Sequence, residues 1–284
     1  MIPQKFEYTA PKTLDEALLL LAAGAKPLAG GMSLIPMMKL RLAAPEHLVD
    51  LGKLKDLNYI READGALHIG ATTTHSEIES SPILRKKCPL LAETAAAIGD
   101  VQVRNMGTIG GSVAHADPAA DYPAALQALE AKLALKGAKS DRIVAAADFF
   151  VDAFTTALRP NEIIREVIVP VEAAGTGTSY QKMFHPASGF AIVGVAARVR
   201  RNAGRIAFVR IGVTGLSNRP YRAAAAEKAL EGKSGSATEI QNAAALVAKG
   251  ADANSDLHAS ADYRRHLAVV HAARALMAAL ARTA

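Results

Sequence analysis

The sequence predicts an α+β protein with two domains, and three observations lead to that prediction. Its 284 residues are enough for one large or two ordinary domains. Half of them are hydrophobic and 21% are charged, which is typical of a folded protein and excludes disorder and collagen. Strand-like and helix-like segments both occur along the chain, and residues 170–178 have the Pro, Gly and Thr content of a linker.

The first fifty residues predict a strand, a helix, a glycine loop and a second strand. Thr13 and Glu16 have the spacing of a capping box, and Gly24 supplies a stop for the helix. The expected elements are a strand at Phe6–Thr9, a helix at Thr13–Ala23, a strand, tight loop and helix-like turn over 26–40, and a strand at His47–Leu51.

The middle of the chain mixes short helices and strands around one irregular segment. Residues 101–121 have too few apolar side chains at either period for an ordinary core element, so we expect a long, glycine-punctuated loop. Asp117 and Pro118 have the pattern of an N-cap followed by proline at the first helical position. The expected elements are a strand at Ala66–Ala71, a helix opened by a capping box at Thr74 and Glu77, a helix at Pro89–Ile98, a helix from Asp117 to about Leu129, and strands at Lys132–Leu135, Asp141–Ala145 and Glu162–Val169.

The C-terminal part predicts a three-stranded antiparallel sheet with helices. Asn202–Gly204 is a hairpin signal between two apolar stretches. The expected strands are Ser179–Phe184, Phe190–Val199 and Arg205–Thr214, and the expected helices are Arg222–Leu230, Ala237–Ala248 and Tyr263–Ala281.

Composition excludes several classes of protein. Cys88 is the only cysteine, which excludes an internal disulfide, a zinc ribbon and a self-contained iron–sulfur cluster. The histidines at 47, 68, 75 and 185 lack metal-ligand spacing, so we expect no metal site. A net charge of +6 suits a phosphorylated ligand but is too small to indicate nucleic-acid binding.

Hydropathy bears on location. No uncharged apolar run approaches the roughly 20 residues that span a bilayer, so we expect no transmembrane segment. Met1–Pro11 lacks the apolar region of a secretory signal, and the expected location is the cytoplasm.

Two glycine pairs, Gly30-Gly31 and Gly110-Gly111, carry the chemistry. Each lies beside hydroxyl side chains: Ser33 in the first case, Thr108 and Ser112 in the second. A glycine pair can aim successive backbone N–H groups into one concavity that binds an anion such as a pyrophosphate. Each pair could equally be a simple tight turn, and the two interpretations are about even. The Rossmann fingerprint and the phosphate loop are both absent.

The sequence around these glycines strongly resembles a known family. Ala29-Gly-Gly-Met-Ser-Leu-Ile-Pro36 and, later, Thr108-Ile-Gly-Gly-Ser-Val-Ala-His-Ala-Asp-Pro-Ala-Ala-Asp121 resemble the FAD-binding (medium) subunits of molybdenum hydroxylases. The likeness extends to the medium subunits of aerobic carbon monoxide dehydrogenases and the FAD-binding subunits of xanthine dehydrogenases. Tyr180-Gln-Lys182 and Pro186–Ala191 resemble the start of that family's C-terminal domain.

The resemblance implies a fold and a cofactor. It implies a two-subdomain FAD-binding domain of the vanillyl-alcohol-oxidase-like (PCMH) type over residues 1–175, divided into about 1–55 and 56–175, and a smaller α+β domain over 176–284. FAD would lie noncovalently between them. The implied cofactor residues are Pro27, Leu28, Ala29, Gly30, Gly31, Met32, Ser33 and Leu34 in a first pyrophosphate loop, Thr108, Ile109, Gly110, Gly111, Ser112 and His115 in a second, Asp121 at the ribityl or ribose side, Ile98 and Ile164 as apolar neighbours, and Lys182 as a basic group near the flavin or its phosphates.

Some of these residues also have plain structural interpretations. Asp117 has the position of a helix cap, and Asp121 that of a solvated carboxylate in the first turn of a helix. Met32 is typical of gap-filling core packing.

The implied function is electron transfer within a molybdenum hydroxylase. Electrons would pass from [2Fe-2S] clusters on a small subunit, reduced by a large molybdopterin subunit, through FAD to quinone, NAD or oxygen, in a dimer of heterotrimers. No catalytic side chain is expected. Two alternatives stay open: a stand-alone FAD-dependent oxidoreductase on the same scaffold, and a non-redox nucleotide-binding module.

Overall fold

The computed structural model describes residues 2–139 and 141–283, so Met1 and Ala284, the ends of the two predicted domains, lie outside the described residues. Three sheets of three, five and four strands follow one another along the described chain, and two further short strands, Phe150–Asp152 and Thr155–Thr156, pair with each other. Each is accompanied by its own cluster of buried apolar side chains.

The first sheet is built by the first fifty residues and is parallel in the order β1-β3-β2. Its elements are β1 (Glu7–Thr9), α1 (Leu14–Ala22), β2 (Lys26–Leu28), α2 (Leu34–Lys39) and β3 (His47–Asp50). Thr13 caps α1 by accepting the N–H of Glu16 at 3.2 Å. The predicted capping box is not formed, because the Glu16 carboxylate accepts the N–H of Lys12 at 2.8 Å instead of that of Thr13. Two short 3-10 turns, Leu51–Lys53 and Lys55–Leu57, lead out of this sheet.

The second sheet is antiparallel, with the strand order β4-β5-β10-β6-β7. Its core includes Leu67, Ile69, Leu126 and Leu133, all fully buried. The capping box at Thr74 and Glu77 is confirmed. The elements are β4 (Ile60–Ala63), β5 (Ala66–Gly70), α3 (His75–Ser80), α4 (Pro82–Lys87), α5 (Pro89–Ala96), α6 (Val101–Met106), α7 (Ile109–His115), α8 (Tyr122–Ala128), β6 (Lys132–Gly137), β7 (Asp141–Ala145), α9 (Ala146–Phe149), β8 (Phe150–Asp152), β9 (Thr155–Thr156) and β10 (Glu162–Pro170).

Two predictions for residues 101–121 are wrong. The expected loop contains the short helices α6 and α7, the second of which carries the glycine pair in its first turn and is capped by the Thr108 hydroxyl. The expected helix start at Asp117 is also wrong, because the Asp117 carboxylate accepts the N–H of Ala119 in a local turn and α8 begins only at Tyr122. Single-segment periodicity missed both helices because each has only six or seven residues.

The third sheet is antiparallel in the order β11-β12-β13-β14, so the three predicted strands are extended by a short fourth. The predicted hairpin is present, with Ala203 and Gly204 both at positive φ of 48° and 76°. Its elements are β11 (Thr176–Phe184), β12 (Ala191–Asn202), β13 (Arg205–Thr214), β14 (Tyr221–Arg222), α10 (Ala224–Leu230), α11 (Ala237–Ala244) and α12 (Ala261–Ala281). Across the described part of the chain, no helix has the length and apolar character needed to cross a membrane.

Candidate functional site

The first glycine segment connects β2 to α2 and leaves a row of backbone donors without partners. Among the described residues, none of the main-chain N–H groups of residues 29–34 donates a hydrogen bond. Every residue from Pro27 to Leu34 keeps some exposed surface, and Gly31 adopts a φ of +75° that turns the chain there. Unpaired N–H groups that follow one another in this way are the donor set of an anion-binding nest.

In the second glycine segment, residues 108–112, the main-chain N–H groups of 109–112 all donate hydrogen bonds within the protein. Ile109 donates to the carbonyl of Thr73 at 3.0 Å and Gly110 to that of Ala71 at 2.9 Å. The next two N–H groups donate to Thr108: that of Gly111 to the hydroxyl at 3.1 Å and that of Ser112 to the carbonyl at 3.0 Å. These bonds hold the start of α7 firmly against the end of β5.

Burial divides the predicted residues of the second segment. Thr108, Ile109 and Gly110 are buried, whereas Gly111, Ser112 and His115 keep exposed surface. The exposed members are therefore the ones able to touch a ligand in this conformation, and the buried members position them.

The two glycine segments lie side by side. A side-chain carbon on Gly30 would overlap the carbonyl oxygen of Met106 and lie 2.7 Å from the Cα of Gly107. A side-chain carbon on Gly111 would lie 3.8 Å from the Cβ of Ala29. The structure thus brings together the two motifs that the sequence separates by some eighty residues. Gly31 forms a turn, Gly30 lies against residues 106 and 107, and the N–H groups of 29–34 are free within the described chain. The first glycine pair is therefore both a tight turn and a set of donors suited to an anion.

His115 ends α7, is half-buried and is neutral near pH 7. Its ring lies 5.1 Å from that of Phe154, centroid to centroid. Burial lowers the pKa of His115, the nearby Asp117 carboxylate opposes that effect, and Lys26 adds to it. The imidazole therefore offers a hydrogen bond rather than a charge near neutral pH.

Asp121 lies at the other end of the segment and is bound by side chains from β11. Its carboxylate is 2.9 Å from the ammonium of Lys182 and accepts the Tyr180 hydroxyl at 2.6 Å. Asp121 is only 4% exposed, so the interpretation as a solvated carboxylate is wrong. Burial raises the pKa of Asp121 to about 6, against the opposing effects of Lys182 and Tyr180. Lys182 also donates to the carbonyl of Gly189 at 2.7 Å.

The predicted apolar neighbours lie on different elements. Ile98 follows α5 and is partly exposed, and its carbonyl accepts the Arg104 guanidinium at 3.0 Å. The adjacent Gly99 meets Gly189, because a side-chain carbon on Gly189 would lie 3.1 Å from the Cα of Gly99. Ile98 is therefore the neighbour in sequence of a residue that contacts Gly189, whose carbonyl accepts a hydrogen bond from Lys182. Ile164 lies in β10, is 4% exposed and belongs to the core of the second sheet.

Sequence reasoning missed a set of hydrogen bonds that fixes residues 118–120 to the third sheet. The Thr214 hydroxyl oxygen lies 2.9 Å from the carbonyl oxygen of Pro118 and 2.8 Å from that of Ala120, so the two carbonyls share its one hydrogen. The N–H of Gly215 also donates to Pro118 at 2.8 Å, and that of Ala191 donates to Ala119 at 3.1 Å. No local pattern signals these bonds, because donor and acceptor lie far apart in the chain.

Two clefts of about 270 and 200 Å³ have linings that contain none of the predicted cofactor residues. The smaller one borders the site, because Asp117, Ala119 and Ser188 line it. Consecutive free N–H groups, the partly exposed Gly111 and a carboxylate–ammonium pair together suit a ligand with a doubly charged linker, such as a dinucleotide.

Comparison with known protein families divides the chain into two matches. Residues 4–172 match the family described as the FAD binding domain in molybdopterin dehydrogenase. Residues 178–279 match the CO dehydrogenase flavoprotein C-terminal domain.

Similar proteins cover the chain almost completely. The carbon monoxide dehydrogenase medium chain of Hydrogenophaga pseudoflava is 42% identical, and the match covers 100% of both chains. The glyceraldehyde dehydrogenase medium chain of Sulfolobus acidocaldarius is 38% identical over 95% of this chain and 96% of its own.

Solved structures give the same result. Carbon monoxide dehydrogenase from Hydrogenophaga pseudoflava, in a form that lacks the Mo-pyranopterin moiety of the molybdenum cofactor, matches with a TM-score of 0.97 and 44% identity over 100% of both chains. Quinoline 2-oxidoreductase from Pseudomonas putida 86 matches with a TM-score of 0.95 and 32% identity, covering 100% of this chain and 99% of its own.

Proposed function

The chain belongs to the FAD-binding medium subunits of the molybdopterin dehydrogenases, and we propose that it carries electrons from [2Fe-2S] clusters of a partner subunit to an external acceptor. The family resemblance carried by the glycine motifs is confirmed, and so is FAD as the cofactor. The chain is accordingly the flavoprotein subunit of a molybdenum-containing oxidoreductase.

The observation that carries the proposal is the row of free N–H groups at residues 29–34, which begins beside Gly111: a side-chain carbon on Gly111 would lie 3.8 Å from the Cβ of Ala29. A pyrophosphate spreads its charge over several oxygens, so it needs several donors at once, and backbone N–H groups supply them without adding a titrating group. Gly111 must lack a side chain for the second segment to come this close to the ligand. FAD supplies the redox chemistry, since a flavin exchanges one or two electrons.

The remaining predicted residues receive roles in the same scheme. Residues 27–34 would hold the pyrophosphate, with Gly111, Ser112 and His115 on its other side. Thr108, Ile109 and Gly110 would support that side from within the core. Asp121 would accept a hydroxyl of the ribityl or ribose, Lys182 would provide positive charge, and Ile98 and Ile164 would lie near the ring. No side chain in this scheme takes part in bond breaking.

The partners follow from what this chain lacks. Cys88 is the single cysteine and is buried, so the clusters require another polypeptide. Among the described residues, no group of three or more His, Cys, Asp or Glu side chains has the arrangement of a metal site. We place the clusters on a small subunit and the molybdopterin on a large one, in a cytoplasmic dimer of heterotrimers.

The proposed domain division has residues 1–55 and 56–175 as the two parts of the FAD-binding domain and 176–284 as the second domain. It is supported by the sheets, since the first sheet ends at Asp50, the second lies between Ile60 and Pro170, and the third begins at Thr176.

Co-expression of the chain with its genomic neighbours tests the proposal. The purified complex is expected to contain FAD, molybdopterin and iron, and its flavin is expected to be reduced when the complex receives its organic or gaseous substrate. The isolated, FAD-loaded chain is expected to oxidise no such substrate. Turnover by the isolated chain would instead establish the stand-alone oxidoreductase.

A further inference from the structure

We propose that Tyr180 is a positioning residue: by donating its hydroxyl to Asp121 it holds that side chain as the carboxylate, paired with Lys182, that receives the FAD. This inference rests on the proposed roles of Asp121 and Lys182 in the cofactor site. It adds a residue that touches neither the glycine segments nor, in this scheme, the cofactor.

The geometry shows how the hydrogen bonds of this cluster are distributed. The Tyr180 hydroxyl donates to Oδ1 of Asp121 at 2.6 Å, and Lys182 contacts the same oxygen at 2.9 Å. Lys182 also donates to Oδ2 of Asp121 at 3.1 Å and to the carbonyl of Gly189 at 2.7 Å. The ammonium has three N–H donors, and these three acceptors occupy them all. Lys182 therefore acts on a ligand through its charge, while Oδ2 of Asp121 has Lys182 as its single donor among the described residues and keeps a lone pair for a second one.

Tyr180 reaches Asp121 because the neighbouring strand makes space for its hydroxyl. A side-chain carbon on Gly194, in β12, would overlap the Tyr180 hydroxyl oxygen and lie 3.0 Å from the Thr214 methyl carbon. Tyr180 is only 5% exposed, and its hydroxyl is the polar end of an otherwise apolar contact with the core of the second sheet. A buried phenol needs a hydrogen-bond acceptor, and Asp121 is the acceptor here.

Two side chains act on the ionisation of Asp121, and both approach from β11: Lys182 and Tyr180. Tyr122 follows Asp121 on α8 but directs its hydroxyl to His75, 3.1 Å from Nδ1. The Tyr180 hydrogen bond favours the carboxylate over the carboxylic acid, as does Lys182. Loss of the Tyr180 hydroxyl should therefore leave Asp121 more easily protonated and less able to accept a hydroxyl from the ligand.

The size of the effect follows from the strength of one charge-assisted hydrogen bond. Its loss should raise the pKa of Asp121 by about one unit. If only the carboxylate form binds FAD well, the dissociation constant of the wild-type chain should be about twofold higher at pH 6 than at pH 8, and that of Tyr180→Phe about tenfold higher.

The experiment measures FAD binding to the full-length apo chain at pH 6 and pH 8 for four proteins. Tyr180→Phe is compared with the wild type and with two matched controls. Tyr59→Phe removes a phenol-to-carboxylate bond of the same 2.6 Å length, to Glu166 in the second sheet. Tyr221→Phe removes a phenol bond of 3.0 Å to the Val247 carbonyl in the third.

The expected result is a larger ratio between the pH 6 and pH 8 dissociation constants for Tyr180→Phe alone, with both controls at the wild-type ratio. A ratio of dissociation constants in Tyr180→Phe equal to that of the wild type would overturn the proposal. This holds whether FAD binding is unaffected or is weakened equally at both pH values, as a purely structural role would weaken it. A wild-type chain that binds FAD but takes no electrons from a cluster-bearing partner would contradict the proposed function and leave this comparison valid.

Discussion

Gly30→Ala tests the close approach of the two glycine segments. A methyl group at this position would lie 2.7 Å from the Cα of Gly107 and overlap the carbonyl of Met106. Carbon atoms in contact prefer about 3.5–4.0 Å, so the segments would have to separate by roughly 1 Å. Overpacking of this kind costs about 1–3 kcal/mol of stability. Gly30 has no positive φ, so the contact alone is perturbed.

The same displacement should weaken FAD binding more than it weakens the fold. A shift of about 1 Å moves N–H groups beyond hydrogen-bonding distance of a phosphate, and losing two charge-assisted bonds costs about 3 kcal/mol, or roughly a hundredfold in the dissociation constant.

Fluorescence titration of the apo chain with FAD, beside thermal unfolding, separates the two effects. Gly52→Ala is the matched control, since its added methyl meets only the Asp50 side chain, at 3.1 Å. A Gly30→Ala chain that binds FAD as the wild type does would show that the close approach of the two glycine segments is not needed for the cofactor site.

Three further predictions concern the second glycine segment, the attachment of residues 118–120 to the third sheet, and the pH dependence of stability. Gly111→Val should abolish FAD retention while Ala114→Val, on the exposed side of the same helix, retains it; equal flavin content in the two purified variants would contradict the assignment. Thr214→Val leaves the buried carbonyl of Ala120 with one donor fewer and should lower the free energy of unfolding, measured by chemical denaturation, by about 2 kcal/mol; a loss below measurement error would show that this attachment of residues 118–120 to the third sheet does not stabilise the fold. Burial lowers the pKa of His75 to about 4 in the folded chain. As the pH falls from 6.5 towards 4, the His75 imidazole is therefore protonated in the unfolded chain before it is protonated in the folded chain. Its burial should cost about 3 kcal/mol of unfolding free energy over this range, none of which is lost above pH 6.5. Denaturant titrations at pH 6.5 and pH 4 should show that the free energy of unfolding falls less on acidification in His75→Gln than in the wild type. An equal fall in the two proteins would contradict this role of His75.

The sequence predicted the glycine segments as one site, but not how they divide the work. Gly30-Gly31 and Gly110-Gly111 look alike in sequence, yet only the first leaves its N–H groups free. The difference arises because Ala71 and Thr73, from the end of β5 and the turn after it, supply acceptors to the second segment. Contacts between residues that are distant in the chain carry no periodic signal, so local reasoning could not find them.

Helix boundaries failed for a related reason. Asp117 and Pro118 match a helix start, but the carbonyl of Pro118 is held by Thr214 and Gly215 of the third sheet. Tertiary hydrogen bonds thus override the local preference of these residues, and the helix begins at Tyr122. In the sequence, Asp121 likewise resembles a surface carboxylate in the first turn of a helix. In the structure it is buried, because Tyr180 and Lys182 of β11 pack against it and bind its carboxylate.

Hydrogen–deuterium exchange of the apo and FAD-loaded chain tests most directly whether the free amides of the first glycine segment hold the cofactor. The N–H groups of residues 29–34 are expected to exchange rapidly without FAD and to become protected when it binds, whereas those of 109–112 are expected to be protected in both states. Unchanged exchange at residues 29–34 on FAD binding would contradict their role in holding the cofactor.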